Sequence, residues 1–306
     1  MTYAKLITRT DASALEGNQI LLNEIIKEVT ENSTILPLMR KLPNLTQKTA
    51  TISVLSSLPD AYWVDGDEGL KQTTNAAWKN KRITAEELAV VVPISENVLN
   101  DSDYDIWAEI KPLIVEAIYE KVDEAIITGR NKPTSWREGL VPSIIAAGNT
   151  VAYDANATTF DRISDVMSKV EEDGYDVTGL VGGIKLKGEF RKGLRDTTGQ
   201  ALGANEVTEL PRAYAKNGAW DNTLADFIAG DFKQAVYAIR SDIQFKVFDS
   251  GVVTDNEGKV IYNLMQNDMV ALRVTFRMGW ELPNPVTALN GDEATRFPFA
   301  AGLPQE

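Results

Sequence analysis

Two residue types are missing altogether: the 306 residues contain no cysteine and no histidine. Without cysteine there is no disulfide framework, thiol nucleophile, iron–sulfur ligation or cysteine zinc site. Without histidine, Ser-His-Asp and Cys-His catalysis, ordinary zinc sites and the commonest general base near neutral pH fall away as well. No run approaches the roughly 20 apolar residues of a membrane span. The opening MTYAKLITRTDASALEGNQILLNEII lacks an apolar stretch flanked by positive charge and a small-residue cleavage site, so no signal peptide is read there. Positive charge is also scarce: 31 Lys and Arg stand against 44 Asp and Glu, a formal charge of -13. A chain that held nucleic acid through its phosphates would need the opposite balance.

What remains is the composition of a soluble globular protein, 43% apolar and 25% charged, with one large domain or two ordinary ones. A short amphipathic helix is predicted over Ile20 to Val29, followed by STILPLMRKLP, which Pro37 and Pro43 break; this reads as an arm. Thr49 to Leu55 is strand-like, and Leu88, Val90, Val92 and Ile94 alternate in ITAEELAVVVPIS. Roughly 25 mostly polar residues separate these two strands, where a hairpin loop usually takes about two to five. The expectation is a long loop reaching outward. Next comes a long helix, with Ser102 as candidate N-cap, Asp103 and Asp105 in its first turn, and Gly129 and Pro133 as stop signals. Trp107, Ile110, Ile114, Ile118, Val122 and Ala125 form one stripe along it, and Pro112 should kink it or mark its start.

A second α/β region follows, with a helix over Phe160 to Glu172 and many glycines. Then Ile243, Phe245 and Val247 alternate, and Val270, Leu272, Val274, Phe276, Met278 and Trp280 form the clearest strand. A turn at Asp255 to Lys259, DNEGK, is expected to join the two.

Motifs that would carry chemistry fail on inspection. DGDEG, Asp65 to Gly69, suggests calcium, yet a calcium loop opened at Asp65 has Leu70 at its sixth position and Ala76 at its twelfth, where glycine and glutamate belong. GGIKLKGEF has phosphate-loop spacing from Gly183 to Gly188, but Glu189 and Phe190 stand where Lys and Ser or Thr are required. Glu86 with Glu87, and Glu171 with Glu172, are adjacent residues that face apart and make no ready acid–base dyad. Trp78 with Lys79, Lys81 and Arg82 has the residue types of a nucleic-acid patch, but on so acidic a chain it reads as a surface for docking onto an acidic protein. No catalytic residue, cofactor or metal site is assigned.

The order of these elements, arm, outreaching hairpin, long helix, α/β region and terminal strand pair, resembles the major capsid protein family of tailed bacteriophages, whose fold is shared with encapsulins. The most specific block is VPISENVLNDSDYDIWAEIKPLIVEAIYEKVDEAIITGRNKPTSWREGLV, with Pro93, Ser95, Leu99, Asp101, Ser102, Asp123 to Ile126, Gly129 and Gly139. GLRDTTGQAL and FRMGWELPNPVTAL are similar to an axial-domain loop and a C-terminal strand of that family. The resemblance implies an α+β fold with an N-terminal arm (1–46), an extended E-loop hairpin (47–95), a peripheral domain with a spine helix (96–145 and 230–285), and an axial domain with the C-terminal tail (146–229 and 286–306).

The function implied is structural: self-assembly into hexamers and pentamers of an icosahedral shell around double-stranded DNA. That shell would be assembled in a bacterial cytoplasm, with a portal protein and no membrane. Because the arm opens almost at Met1, a separate scaffolding protein, or none, is expected. The E-loop tip is assigned as the subunit interface: acidic Asp65, Asp67 and Glu68, then Lys71, Trp78, Lys79, Lys81 and Arg82, pairing charge across a subunit boundary. Three other readings stay open: an encapsulin shell protein, a carboxylate-dependent hydrolase with two facing acids, and a monomeric binding module that grips its ligand with the hairpin.

Overall fold

A computed structural model describes residues 33–64, 71, 73–100, 106–193, 209–255 and 257–305. The expected helix over Ile20 to Val29, the cap residues Ser102, Asp103 and Asp105, and the loop that follows Gly193 lie outside them.

The strongest pattern in the sequence builds the main core. Strand β12 (Met269–Glu281) buries Leu272, Val274, Phe276, Met278 and Trp280. Helix α2 (Ile106–Ile127) meets that face with Ile114, Ile118, Val122 and Ala125, all buried, and with half-buried Trp107 and Ile110. Burying each such large apolar side chain contributes about 1.5–3 kcal/mol, so this layer dominates the stability of the unit. The helix runs through Pro112 rather than starting there, and so forgoes one intrahelical hydrogen bond.

Strand β12 is central in a four-stranded sheet of order β1-β9-β12-β4, made with β1 (Arg40–Lys41), β4 (Glu86–Ser95) and β9 (Val236–Phe248). It pairs antiparallel with both long neighbours. The DNEGK turn is present but joins a smaller hairpin, β10 (Val252–Thr254) and β11 (Val260–Asn263), lying between the ends of β9 and β12 in the chain. Asp255 Oδ1 accepts from the Lys259 amide at 2.8 Å and the Glu257 amide at 3.0 Å, the side-chain bonding that makes Asp a turn former.

A second, five-stranded sheet has the order β5-β13-β8-β6-β7. It consists of β5 (Thr150–Val151), β6 (Gly179–Gly183), β7 (Arg212–Ala215), β8 (Phe227–Gly230) and β13 (Phe299–Gly302), so the chain returns near its C-terminus to complete a sheet begun at residue 150. Helix α4 (Thr159–Glu172) packs on it through Phe160, Ile163, Val166, Met167 and Val170. Thr158 and Asp161 cap that helix reciprocally, each side chain bonding the other's amide. The glycines of GGIKLKGEF close β6 and enter α5 (Ile184–Gly193), which adds Leu186 and Phe190 to the same core. Short helices α1 (Glu96–Asn100) and α3 (Leu140–Ala147) flank the long helix in sequence.

The hairpin departs from the sequence expectation. Strand β2 (Thr49–Ser57) pairs antiparallel with β3 (Ala77–Thr84), from Thr49 opposite Thr84 to Leu55 opposite Trp78. The Leu88–Ile94 strand is β4, and it pairs with β12 instead. The reason is burial: β4 alternates because one face covers the core. Strand β3, AWKNKRIT, is polar along most of its length and buries only Ile83, so it carries no hydrophobic period to read.

Candidate assembly interface

The β2/β3 hairpin projects from the base of the four-stranded sheet, and its mooring was not visible in the sequence. Glu293, in the C-terminal segment, accepts from Lys79 Nζ at 2.6 Å and Lys81 Nζ at 2.9 Å. The Val286 amide donates to the Leu55 carbonyl at 3.0 Å. Two of the cations assigned to a subunit contact are therefore held within their own chain, on strand β3 and not at the loop tip. Trp78 and Arg82 lie on the same strand and are exposed, as is Lys71 in the loop; Asp65, Asp67 and Glu68 lie outside the described residues.

The two lysines draw the Glu293 carboxyl down to about 2 from an ordinary 4.5. A depressed carboxylate stabilises the fold at pH above its unfolded value and loses that contribution as pH falls through the folded one. The mooring is thus complete above about 4.5 and is released as the pH drops toward about 2. Because the lysines and the glutamate are substantially solvated, each pair is worth only about 0.2–1 kcal/mol. Glu293→Gln should leave global stability within about 1 kcal/mol of wild type. It should nevertheless raise amide exchange across β2 and β3, read by hydrogen exchange at neutral pH; unchanged protection would show that the ion pairs do not hold the hairpin.

Beyond Ser57 and Ala77 the loop limbs leave the strand pairing, joined by a bond from the Asp60 amide to Thr74 Oγ1 at 2.8 Å. Here the structure shows what sequence reading missed: Trp63 has a relative exposure of 103%, with Tyr62 at 50% and Val64 at 43% on either side. Aromatic residues that carry so much apolar area into water mark a contact surface. The signal was available in LPDAYWV, immediately before the acidic knot that drew the reading instead.

A second joint ties Ser33 and Thr34 to α2. Asp123, on α2 and fully buried, accepts from Ser33 Oγ at 2.5 Å, the Thr34 amide at 2.7 Å and Asn217 Nδ2 at 3.1 Å. Burial pushes its carboxyl up, and the three donors pull it back. Half-buried Arg137 links the end of β12 to the segment before β13, and buried Arg162 links α4 to the five-stranded sheet. Arg137 bonds the Leu282 carbonyl at 3.2 Å and stacks on Trp280 and Phe297, while Arg162 bonds Asp226 at 2.9 Å and the Leu303 carbonyl at 2.6 Å.

Among the described residues no three acidic side chains cluster to hold a metal ion. Glu86 is taken up by Lys48 at 3.0 Å and Ser135 at 2.7 Å, while Glu87 turns to Arg277 at 3.7 Å. Glu171 and Glu172 are exposed on α4, the latter paired with Lys169 at 3.2 Å. The described residues contain no helix long and apolar enough to cross a membrane.

Known proteins of the same architecture share this fold with its projecting hairpin. The major capsid protein of Staphylococcus phage 80alpha is 30% identical over 275 residues, 84% of this chain and 80% of that protein. A solved chain from Microbacterium phage Oxtober96 superposes with a TM-score of 0.78 at 33% identity, covering 98% of this chain and 99% of that one. One from Mycobacterium phage Cain gives 0.77 at 27% identity, covering 100% and 95%. Residues 18–288 match the phage capsid family. The chain belongs to that family, as a subunit of the phage head shell.

Proposed function

We propose that copies of this chain close into hexamers and pentamers of an icosahedral shell around double-stranded DNA, each hairpin lying over the neighbouring copy. The observation that carries this is the hairpin itself, moored at Leu55, Lys79 and Lys81 and exposing Tyr62 and Trp63 beyond its strands. A lone hairpin is marginal in water.

In this reading β2 and β3 form the E-loop, the four-stranded sheet with α2 forms the peripheral unit, and the five-stranded sheet with α4 forms the axial unit. The protein acts through these surfaces and is not an enzyme. A net charge of -13 suits a shell that encloses DNA without holding it. A portal and a scaffolding protein are the further partners of the assembly, which takes place in the host cytoplasm.

Deleting residues 66–77 tests the role of the hairpin. The truncated chain should remain folded and lose closed particles, read by sedimentation and electron microscopy. Particles indistinguishable from wild type would refute the reading.

A further inference from the structure

We propose that Trp63 of one copy seats in the apolar groove between β4 and α2 of the next. The inference deepens the shell reading above and rests on it. The groove has a volume of about 610 Å³ and is lined by Leu88, Val90, Ile118, Val122, Trp136 and Met278. It opens along β4, the outer strand of the four-stranded sheet, whose only strand partner among the described residues is β12. An edge strand presents unpaired backbone groups, and an extended segment can lay its own against them. The groove is of ligand-site size, and an indole buries about 150–250 Å².

The occupant comes from a second copy for a geometric reason. The groove begins at Glu86, beside the hairpin's base, whereas Trp63 lies beyond the outer end of β2. Nine residues of strand separate base from tip, about 30 Å at the usual rise. Trp63 is therefore carried away from its own groove and toward a neighbour's. Residues 58–68 hold Asp60, Asp65, Asp67 and Glu68 and no cation, and the groove rim carries two lysines, Lys121, paired with Glu120 and Glu124, and Lys132, paired with Glu138, which an incoming acidic segment would compete for.

The absence of cysteine makes the test direct. Val64→Cys and Ala117→Cys, the latter on the groove's helix wall, are introduced together with Trp63 retained, and particles are oxidised and run on a denaturing gel. The expected result is a ladder of linked multimers, absent from either single-cysteine chain and lost when Trp63→Ala is added. Particles that yield only monomers overturn the groove and leave the shell reading standing. A wild-type chain that forms no assembly of any size overturns both. In the otherwise unaltered chain, Trp63→Ala should raise the concentration needed for assembly by about 30-fold, with Trp63→Phe recovering most of it. Equal thresholds for the three chains also overturn the proposal.

Discussion

Gly139→Ala lowers the stability of the folded chain by about 3 kcal/mol, the upper part of the range for a forced overpacking. The backbone dihedrals of Gly139, φ -59° and ψ 164°, are open to any residue, so conformation is not the cause. Space is. A Cβ on Gly139 would sit 2.2 Å from the amide nitrogen of Gly129 and 2.6 Å from the carbonyl carbon of Thr128. Both are main-chain atoms at the end of α2, and neither can rotate away. Gly129 has φ +72° and would place its own Cβ 2.9 Å from the Gly139 amide nitrogen, so the two glycines let the end of α2 and the start of α3 touch backbone to backbone. Separating them opens the core at Ile126, Ile127, Leu140 and Val141.

The control is Gly148→Ala at the other end of α3. There φ is +81° but a Cβ meets nothing within 4 Å, so the cost is the left-handed conformation alone, about 1–2 kcal/mol. Denaturant unfolding of the purified chains should rank Gly139→Ala well below Gly148→Ala; the reverse order would show that the contact is not tight.

Asp123→Ala costs a similar amount, about 3 kcal/mol, for a different reason: it leaves the Ser33 hydroxyl, the Thr34 amide and the Asn217 side chain without their acceptor. Each buried donor left unmatched costs about 1–3 kcal/mol, and removing a buried charge returns part of that. Because burial raises the Asp123 carboxyl, its favourable contribution is present below the unfolded value and is lost as pH rises through the folded one. The wild-type margin over the alanine variant should therefore narrow from acid toward neutral pH. Asp123→Asn keeps the volume and the bond from Ser33 and should fall between the two. The local readout is amide exchange at Thr34 and Leu36, whose protection should vanish with the carboxylate. Retained protection and wild-type stability would mean that this segment is held elsewhere.

Legibility in the sequence followed burial on one face. The stripe on α2, the alternation of β12 and the amphipathic α4 were readable because each has a buried side and a solvated one. Strand β3 was not, since Ile83 is its only buried residue and the rest is mostly polar. Strands β6, β8 and β13, GLVGG, FIAG and FAAG, are buried throughout and have no alternation to show. The proposed interface was legible only as a place. The long polar interval announced a projection, but the acidic knot and the basic end drew attention away from Trp63 just ahead of them. Glu293 and Asp123 could not be singled out, because their partners are 214 and 90 residues away in the chain and a lone acid among charged neighbours reads as solvated. The family resemblance rested on Gly129 and Gly139 among others, and the close contact between them supplies its physical reason.

Electron microscopy of the clarified lysate after expression of this chain alone tests the central claim most directly, since it presumes no ligand and reads assembly itself. Closed shells or tubes are expected, or rings of five and six where the scaffolding partner is needed to close them. A uniform population of folded monomers at high concentration would contradict it.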